Sequence, residues 1–403
     1  MTATETDQGV YYDPYDRDIL ADPYPTFRRM RDEAPLYYNE RYDFYAVTRF
    51  DDVKATLGEK LTFSNEKGVL LDMIKADFEM PPGTLIHDQP PTHTVHRQLL
   101  SRVFTPKAML AIEPQVRDYC ARRLDELAGR DEFDFVTEFA QFVPMRVFGM
   151  LLGIPEEDQE RVLEHVEKGM NQSVPGQPVT YDDESGVMSG DFYAEFVDAR
   201  IADPRDDIIT RLITTEFEDV DGVHRTLTRE ESLTYLAVIA GAGNHTTNRL
   251  ISWTAKVLAD HPEARRELVD DPSLIPNAIE ETLRFEPSST QIARWVAKDV
   301  EVHGQVVPRG SAMLCCAGSA NRDERVFDEP DRFDIHRKIA QHLTFGYGVH
   351  FCLGASLARL EGRVALEELL KRFPEWEVDV DNAELGTAPG VRGYAHLPIK
   401  VRA

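Results

Sequence analysis

Apolar residues along this chain recur mostly at helical spacing. Residues 25–33 predict a short helix, and Ile112, Val116, Tyr119, Leu124 and Leu127 line one face of a longer one over 107–127. Thr228 and Glu231 have the capping-box spacing ahead of an apolar run, which predicts a helix of about thirty residues ending at Asp260, before His261-Pro262. Ser273 is placed to cap another helix that stops before Pro287. Aromatic and β-branched runs in "PLYYNERYDFYAVTR" predict a hairpin within 36–49, turning at 39–43. Shorter β-like pieces, "DVEVHGQVVPRG" and "HLPIKV", lie toward the C-terminus, and "AMLCCAG" suits a strand or a buried turn. The expectation is one mainly α domain with small β-sheets over 1–403, with a loose tail at 1–13 and an irregular loop at 173–186.

The long helix has an odd centre. Gly241 and Gly243 each cost up to about 1 kcal/mol relative to alanine, and "NHTT" (Asn244, His245, Thr246, Thr247) adds four poor helix formers. Two explanations stand: close helix packing, which wants small residues, or a helix locally opened beside a ligand.

Composition narrows the class. Hydrophobic residues at 42% with 29% charged suit a globular enzyme. The most apolar segment, 233–243, is far shorter than the roughly 20 residues a bilayer span needs, and nothing resembles a secretory signal. A soluble, cytoplasmic protein is expected. A net charge of −26, from 71 acidic and 45 basic residues, disfavours nucleic acid and anionic membrane as partners.

Four cysteines, Cys120, Cys315, Cys316 and Cys352, show no CxxC pair and no disulfide-like spacing. Cys120 falls on an apolar helical face and the adjacent pair lies in an apolar run, so these three read as small core hydrophobes. Cys352 differs. In "HLTFGYGVHFCLGASLARLEG" it follows Gly346 and Gly348 and precedes Gly354 and a helical segment. A dinucleotide loop fails here, because Phe351 stands where GxGxxG needs its last glycine. A nucleophilic cysteine at a helix N-terminus is one reading, with His350 too far along an extended chain to be its base. A metal thiolate is the other. The axial ligand of haem iron suits such a position, with glycines admitting a large flat ring and Phe345 and Phe351 covering it.

Three motifs agree in order. Phe345, Gly348, Cys352 and Gly354 fit FxxGxxxCxG; Glu281 and Arg284 fit ExxR; "AGNHTT" (242–247) resembles AGx[DE]TT. With "PDRF" (330–333) and "QPPTHTVHRQLLSRVFTP" (89–106), the chain resembles a soluble bacterial-type cytochrome P-450 from about Tyr15 to its end. The resemblance implies a mainly α P-450-like fold, in which a long central helix and a Cys-ligand loop enclose haem b, with Cys352 as the metal ligand. It implies propionate partners at His93, Arg97, Arg294 and His350, loop positions at Phe345, Gly346 and Gly354, and a structural ion-pair network of Glu281, Arg284 and Arg332. Thr246 corresponds to the hydroxyl that assists oxygen cleavage, with room left by Gly243. His245 replaces the usual carboxylate, either relaying protons or bringing positive charge, and Asn244 shares the role.

Substrate would meet Val69, Leu70, Leu71, Met73, Ile74, Phe78, Ala242, Gly243, Ile292, Val391 and Tyr394, an apolar set that favours a hydrophobic small molecule. The implied activity is O2-dependent monooxygenation by C–H hydroxylation or epoxidation. Electrons would come from NAD(P)H through a separate ferredoxin or flavodoxin and its reductase, because about fifty residues after Cys352 are too few for a flavin domain. Arg102, Arg359 and Arg363 form a candidate docking patch for it. A peroxide-driven peroxygenase, a haem-thiolate isomerase or dehydratase, and a non-catalytic haem sensor are the alternatives.

Overall fold

The computed structural model describes residues 9–76, 84–103, 105–170, 190–386 and 390–402. Its axis is the helix Arg229–Asp260. The capping box is formed: Thr228 Oγ1 accepts from Glu231 N at 3.1 Å, and the Glu231 carboxylate accepts from Thr228 N at 2.7 Å. At the other end His261 leads into Pro262, the first residue of the next helix (Pro262–Asp270). Leu233, Leu236, Leu250, Trp253, Val257 and Leu258 are buried along this helix. It packs against Phe142–Leu152, Ile275–Phe285 and Ala355–Arg372. Pro106–Asp125 in turn packs along Ala355–Arg372, adding Val116, Cys120 and Leu124 to the same core. Truncating Leu236 or Leu258 to alanine in such an interior costs about 2–5 kcal/mol.

The β structure lies to one side. Strands Leu36–Asn39 and Phe44–Val47 make the expected antiparallel hairpin. Ala312–Cys315 joins it in parallel, then Ile292–Val296 and Phe63–Ser64 follow antiparallel, completing a five-stranded sheet. The hairpin Val300–Val302/Gln305–Val307 and the C-terminal strand Pro398–Arg402 account for the other β-like pieces. Cys315 and Cys316 are fully buried, as their apolar run implies.

Two expectations change, and a third falls where the structure describes nothing. Ser273 caps nothing; its hydroxyl and its N–H both bond Asp271, which caps a short 3-10 turn ahead of Ile275–Phe285. The tail is not loose throughout, since Tyr12 is 2% exposed, receives Asn39 Nδ2 on its carbonyl at 2.9 Å and bonds Gln291 through its hydroxyl. The loop at 173–186 lies outside the described residues, as do residues 1–8.

Candidate active site

Cys352 ends a tight loop. Its N–H bonds the Phe345 carbonyl at 2.9 Å, closing a ring through Gly346 (φ 71°) and Gly348 (φ 77°). Both glycines occupy the left-handed region that L side chains avoid. At Gly348 a β-carbon would also lie 3.1 Å from the Leu57 carbonyl oxygen, so the loop's close approach to the end of the helix Phe50–Gly58 also requires glycine there. Gly354 caps the helix Ala355–Arg372 with an ordinary φ of −83°. The thiol presents accessible surface although its sulfur is set deep among protein atoms. Burial raises its pKa; the N–H groups of Gly354 and Ala355 and the cations Arg97 and Arg359 pull the other way. Phe351 is 40% exposed, and Phe345 carries the Arg359 guanidinium 4.6 Å from its ring centre.

A buried ion pair holds the chain between Asn321 and Arg337, ahead of the loop. Arg284 meets both carboxylate oxygens of Glu281 at 2.7 Å, and neither side chain has any exposure. Arg284 also donates to the carbonyls of Asn321, Pro330 and Arg332. The Arg332 side chain does not join: it is 58% exposed and pairs with Asp334 and Glu329. Arg337 takes that place, bonding Glu281 Oε1 at 3.1 Å and the carbonyls of Asp328, Glu329 and Arg332. Sequence reasoning missed Arg337, five residues beyond Arg332 in "RFDIHR", because the "PDRF" motif contains Arg332 and stops short of Arg337.

A cationic pole adjoins the thiol. Arg97, on the helix Thr92–Val103, donates to the Phe351 carbonyl at 2.6 Å. The His93 and His350 rings lie 4.2 Å apart, and His93 Nδ1 and His350 Nε2 are buried without a partner. Arg294, 3% exposed, has one protein bond, to its neighbour Ala293's carbonyl. No carboxylate pairs with Arg97 or Arg294 among the described residues. Burial, then neighbouring positive charge, pushes His93 down to about 4 and His350 down to about 3. Two arginines without a paired carboxylate, beside two neutral histidines, suit an anionic guest.

On the central helix, a β-carbon at Gly241 or Gly243 would meet nothing within 4 Å. Close packing is therefore excluded as the reason for these glycines. Nor is the helix opened: it is continuous, and the Thr246 hydroxyl donates to the Ala242 carbonyl at 2.9 Å. Ala242 and Gly243 are exposed, whereas Asn244 and His245 are buried. His245 Nε2 has no partner, and burial, then Arg249, pushes its pKa down to about 4. An imidazole held that low is neutral at pH 7, in keeping with the first of its two expected roles, relaying protons, rather than the second.

The apolar set divides. Leu71 and Ile74 belong to the core with Phe27, Phe44 and Tyr12, and Tyr394 packs on Trp253 with ring centres 4.9 Å apart. Met73 is buried, its Cβ facing Gly68. Val69, Leu70, Ile292 and Val391 are half-buried; Leu70 faces Gly390, and Ile292 Cδ1 faces Gly346. Phe78 lies outside the described residues. Two of the three proposed docking cations are already paired, Arg359 with Glu280 and Arg363 with Glu113 and Glu367, leaving Arg102 exposed.

A lone thiol at a helix start, preceded by a buried Glu–Arg pair and flanked by arginines without a paired carboxylate, defines a haem-thiolate protein. The family model for cytochrome P-450 matches residues 190–388. The chain is 39% identical over 411 residues to a putative cytochrome P-450 123 of Mycobacterium tuberculosis, covering all of both chains. It superposes on cytochrome P-450 CYP109Q5 of Chondromyces apiculatus with a TM-score of 0.87, at 32% identity, covering 98% of this chain and 99% of that one. A mutant of EryK in complex with erythromycin B gives 0.86, also at 32% identity, covering 97% and 98%. The chain belongs to the cytochrome P-450 family, whose typical activity is haem-thiolate monooxygenation. Membership implies haem b and the use of dioxygen. No described helix is long and apolar enough to cross a membrane.

Proposed function

We propose that this enzyme inserts one atom of O2 into a hydrophobic organic substrate, by C–H hydroxylation or epoxidation, with electrons delivered by a separate ferredoxin or flavodoxin and its reductase. The observation that carries it is the pairing of an accessible thiol with a carboxylate-free cationic pole. Those residues fit haem: Cys352 Sγ would ligate its iron, and Arg97, Arg294, His93 and His350 would receive its two propionates. Bound there, haem supplies an electron-rich iron that activates dioxygen toward O–O cleavage.

The chain's own contributions follow from the geometry. Phe345 and Gly346 set the loop's turn, and Gly354 starts the helix whose N–H groups favour thiolate. The Thr246 hydroxyl donates its one hydrogen to the Ala242 carbonyl and so keeps its oxygen lone pairs for a water's hydrogen. His245, neutral with an unpartnered Nε2, passes protons without holding charge, and Asn244 lines the same stretch. Open space at Gly243 admits a small co-substrate. Val69, Leu70, Met73, Ile292 and Val391 give an apolar wall that holds the substrate by desolvation.

Expression with haem should give a coloured protein whose ferrous–CO complex has the far-shifted Soret band of thiolate ligation, and Cys352→Ser should abolish that shift. A folded, colourless wild-type protein overturns the proposal. Retention of the band in the serine variant removes Cys352 as the ligand. Low- to high-spin shifts across terpenoids, steroids and fatty acids then identify the substrate class.

A further inference from the structure

The three segments that carry the apolar wall share one neighbour. Leu70 abuts Gly390, where a β-carbon would lie 2.7 Å from Leu70 Cδ2, and the Ala293 N–H bonds the Val69 carbonyl at 2.8 Å. Residues 69–73, 291–293 and 390–392 thus meet one another, and Ile292 Cδ1 beside Gly346 turns this wall toward the Cys352 loop. Each segment is also tied to a single stretch near the N-terminus. Tyr15 donates its hydroxyl to Asp72 Oδ1, in the helix Leu71–Ala76. Tyr12 donates to Gln291 Oε1, next to Ile292. Arg392, next to Val391, donates to the carbonyls of Leu20 and Ala21 at 2.8 and 2.7 Å. The stretch is itself fixed: Tyr12 is bonded by Tyr37 and Asn39, the Asp13 carboxylate accepts from Tyr15 N at 2.8 Å, and Asp16 caps the helix Arg17–Ala21. Polar ties are directed where apolar contacts are not, so these set the position of the wall as well as its stability.

We propose that residues 12–21 form a strap behind the substrate chamber, in which Tyr15, by holding Asp72, fixes the reach of Val69, Leu70 and Met73 and so helps decide which bulky substrates fit. This rests on the apolar wall assigned above and extends it to residues that touch no substrate. Tyr15 is a positioning residue. Asp72 is 5% exposed, and a phenol bonded to a carboxylate so far from water holds firmly. A wall kept in place before a ligand arrives spares that ligand the cost of ordering it. A bulky guest pressing on the wall therefore feels the strap, whereas a small one held by haem alone does not.

The test uses the ferric holoenzyme and two azoles whose nitrogen binds haem iron, imidazole and the bulky triaryl compound clotrimazole. Each is titrated by its Soret shift into wild type, Tyr15→Phe, Asp72→Asn and Leu70→Ala. Phenylalanine keeps the ring packed on Tyr42, with centres 4.8 Å apart, and removes only the hydroxyl. Asparagine keeps an oxygen that accepts from Tyr15. Tyr15→Phe should weaken clotrimazole by about fivefold or more and leave imidazole within about twofold of wild type. Asp72→Asn should bind both azoles nearly as wild type does. Unchanged clotrimazole affinity in Tyr15→Phe overturns the proposal. Equal weakening of both azoles overturns it too, assigning Tyr15 to general stability, and so does an Asp72→Asn variant as weak for clotrimazole as Tyr15→Phe. Leu70→Ala probes the wall directly: wild-type clotrimazole affinity there shows that the wall itself is misassigned, and the proposal falls with it. A wild-type protein that binds no haem fails the haem-thiolate reading instead, a result distinct from all of these.

Discussion

Replacing Arg337 with methionine should destabilise the protein far more than the same change at Arg332. Arg337 is 10% exposed and Glu281 is fully buried. Methionine removes the 3.1 Å bond to Glu281 and leaves the carbonyls of Asp328, Glu329 and Arg332 without that donor. Glu281 is not stripped bare, since Arg284 still holds both its oxygens and Asp334 N–H still donates at 2.9 Å. The loss is therefore one charge-assisted bond at about 1.5–3 kcal/mol plus weakened loop contacts, about 3 kcal/mol in all. Arg284→Met would leave the buried carboxylate with only Arg337 and the Asp334 N–H, and should cost about 3–5 kcal/mol. Arg332, more than half exposed, should fall below about 1 kcal/mol. Urea unfolding of the holoproteins followed by far-UV circular dichroism gives the order, and Soret absorbance reports whether the Cys352 loop loosens first. If Arg332→Met costs as much as Arg337→Met, the assignment of the third network member is wrong.

Other expectations are more local. Thr246→Ala should raise hydrogen peroxide release per NAD(P)H consumed in a reconstituted system; unchanged coupling would take Thr246 out of the oxygen pathway. His245 stays neutral in the folded state down to about 4, whereas an unfolded histidine takes its proton near 6.5. The unfolded chain thus binds the extra proton between those values, so stability falls as pH drops from 6.5 toward 4, by up to about 3 kcal/mol, then levels off. His245→Gln should flatten that part of the denaturation profile, and an identical profile would show that the group titrates normally. Gly348→Ala should cost about 1–3 kcal/mol, from positive φ and contact with the Leu57 carbonyl, read as a shift in the urea midpoint.

Much of this architecture is written in local signals. The Thr228–Glu231 spacing names the start of the central helix, and the alternation around 39–43 names the hairpin, because both follow from short-range hydrogen bonding. Cys352, Glu281 and Arg284 are legible through spacing, since each must occupy a fixed place on a turn or a helix face. What escapes is long-range. The local "PDRF" motif points to Arg332, and only the fold shows that the Arg337 guanidinium is the one that reaches Glu281. Leu71, Ile74 and Tyr394 look like pocket residues by position but spend their apolar surface on Tyr12, Phe27 and Trp253, partners distant in sequence. Arg359 and Arg363 read as free surface charge until Glu280 and Glu113 are brought against them.

The emptiness beside Gly241 offers a handle for redesign. Most chamber walls are shared with the core, so enlarging a side chain there shoves something else. At this position an added methyl group meets no neighbour and recovers about 1 kcal/mol of helix propensity. Stepwise growth at that point, from alanine to serine to valine, would trim the space open to a guest in graded increments while the scaffold holds firm or tightens.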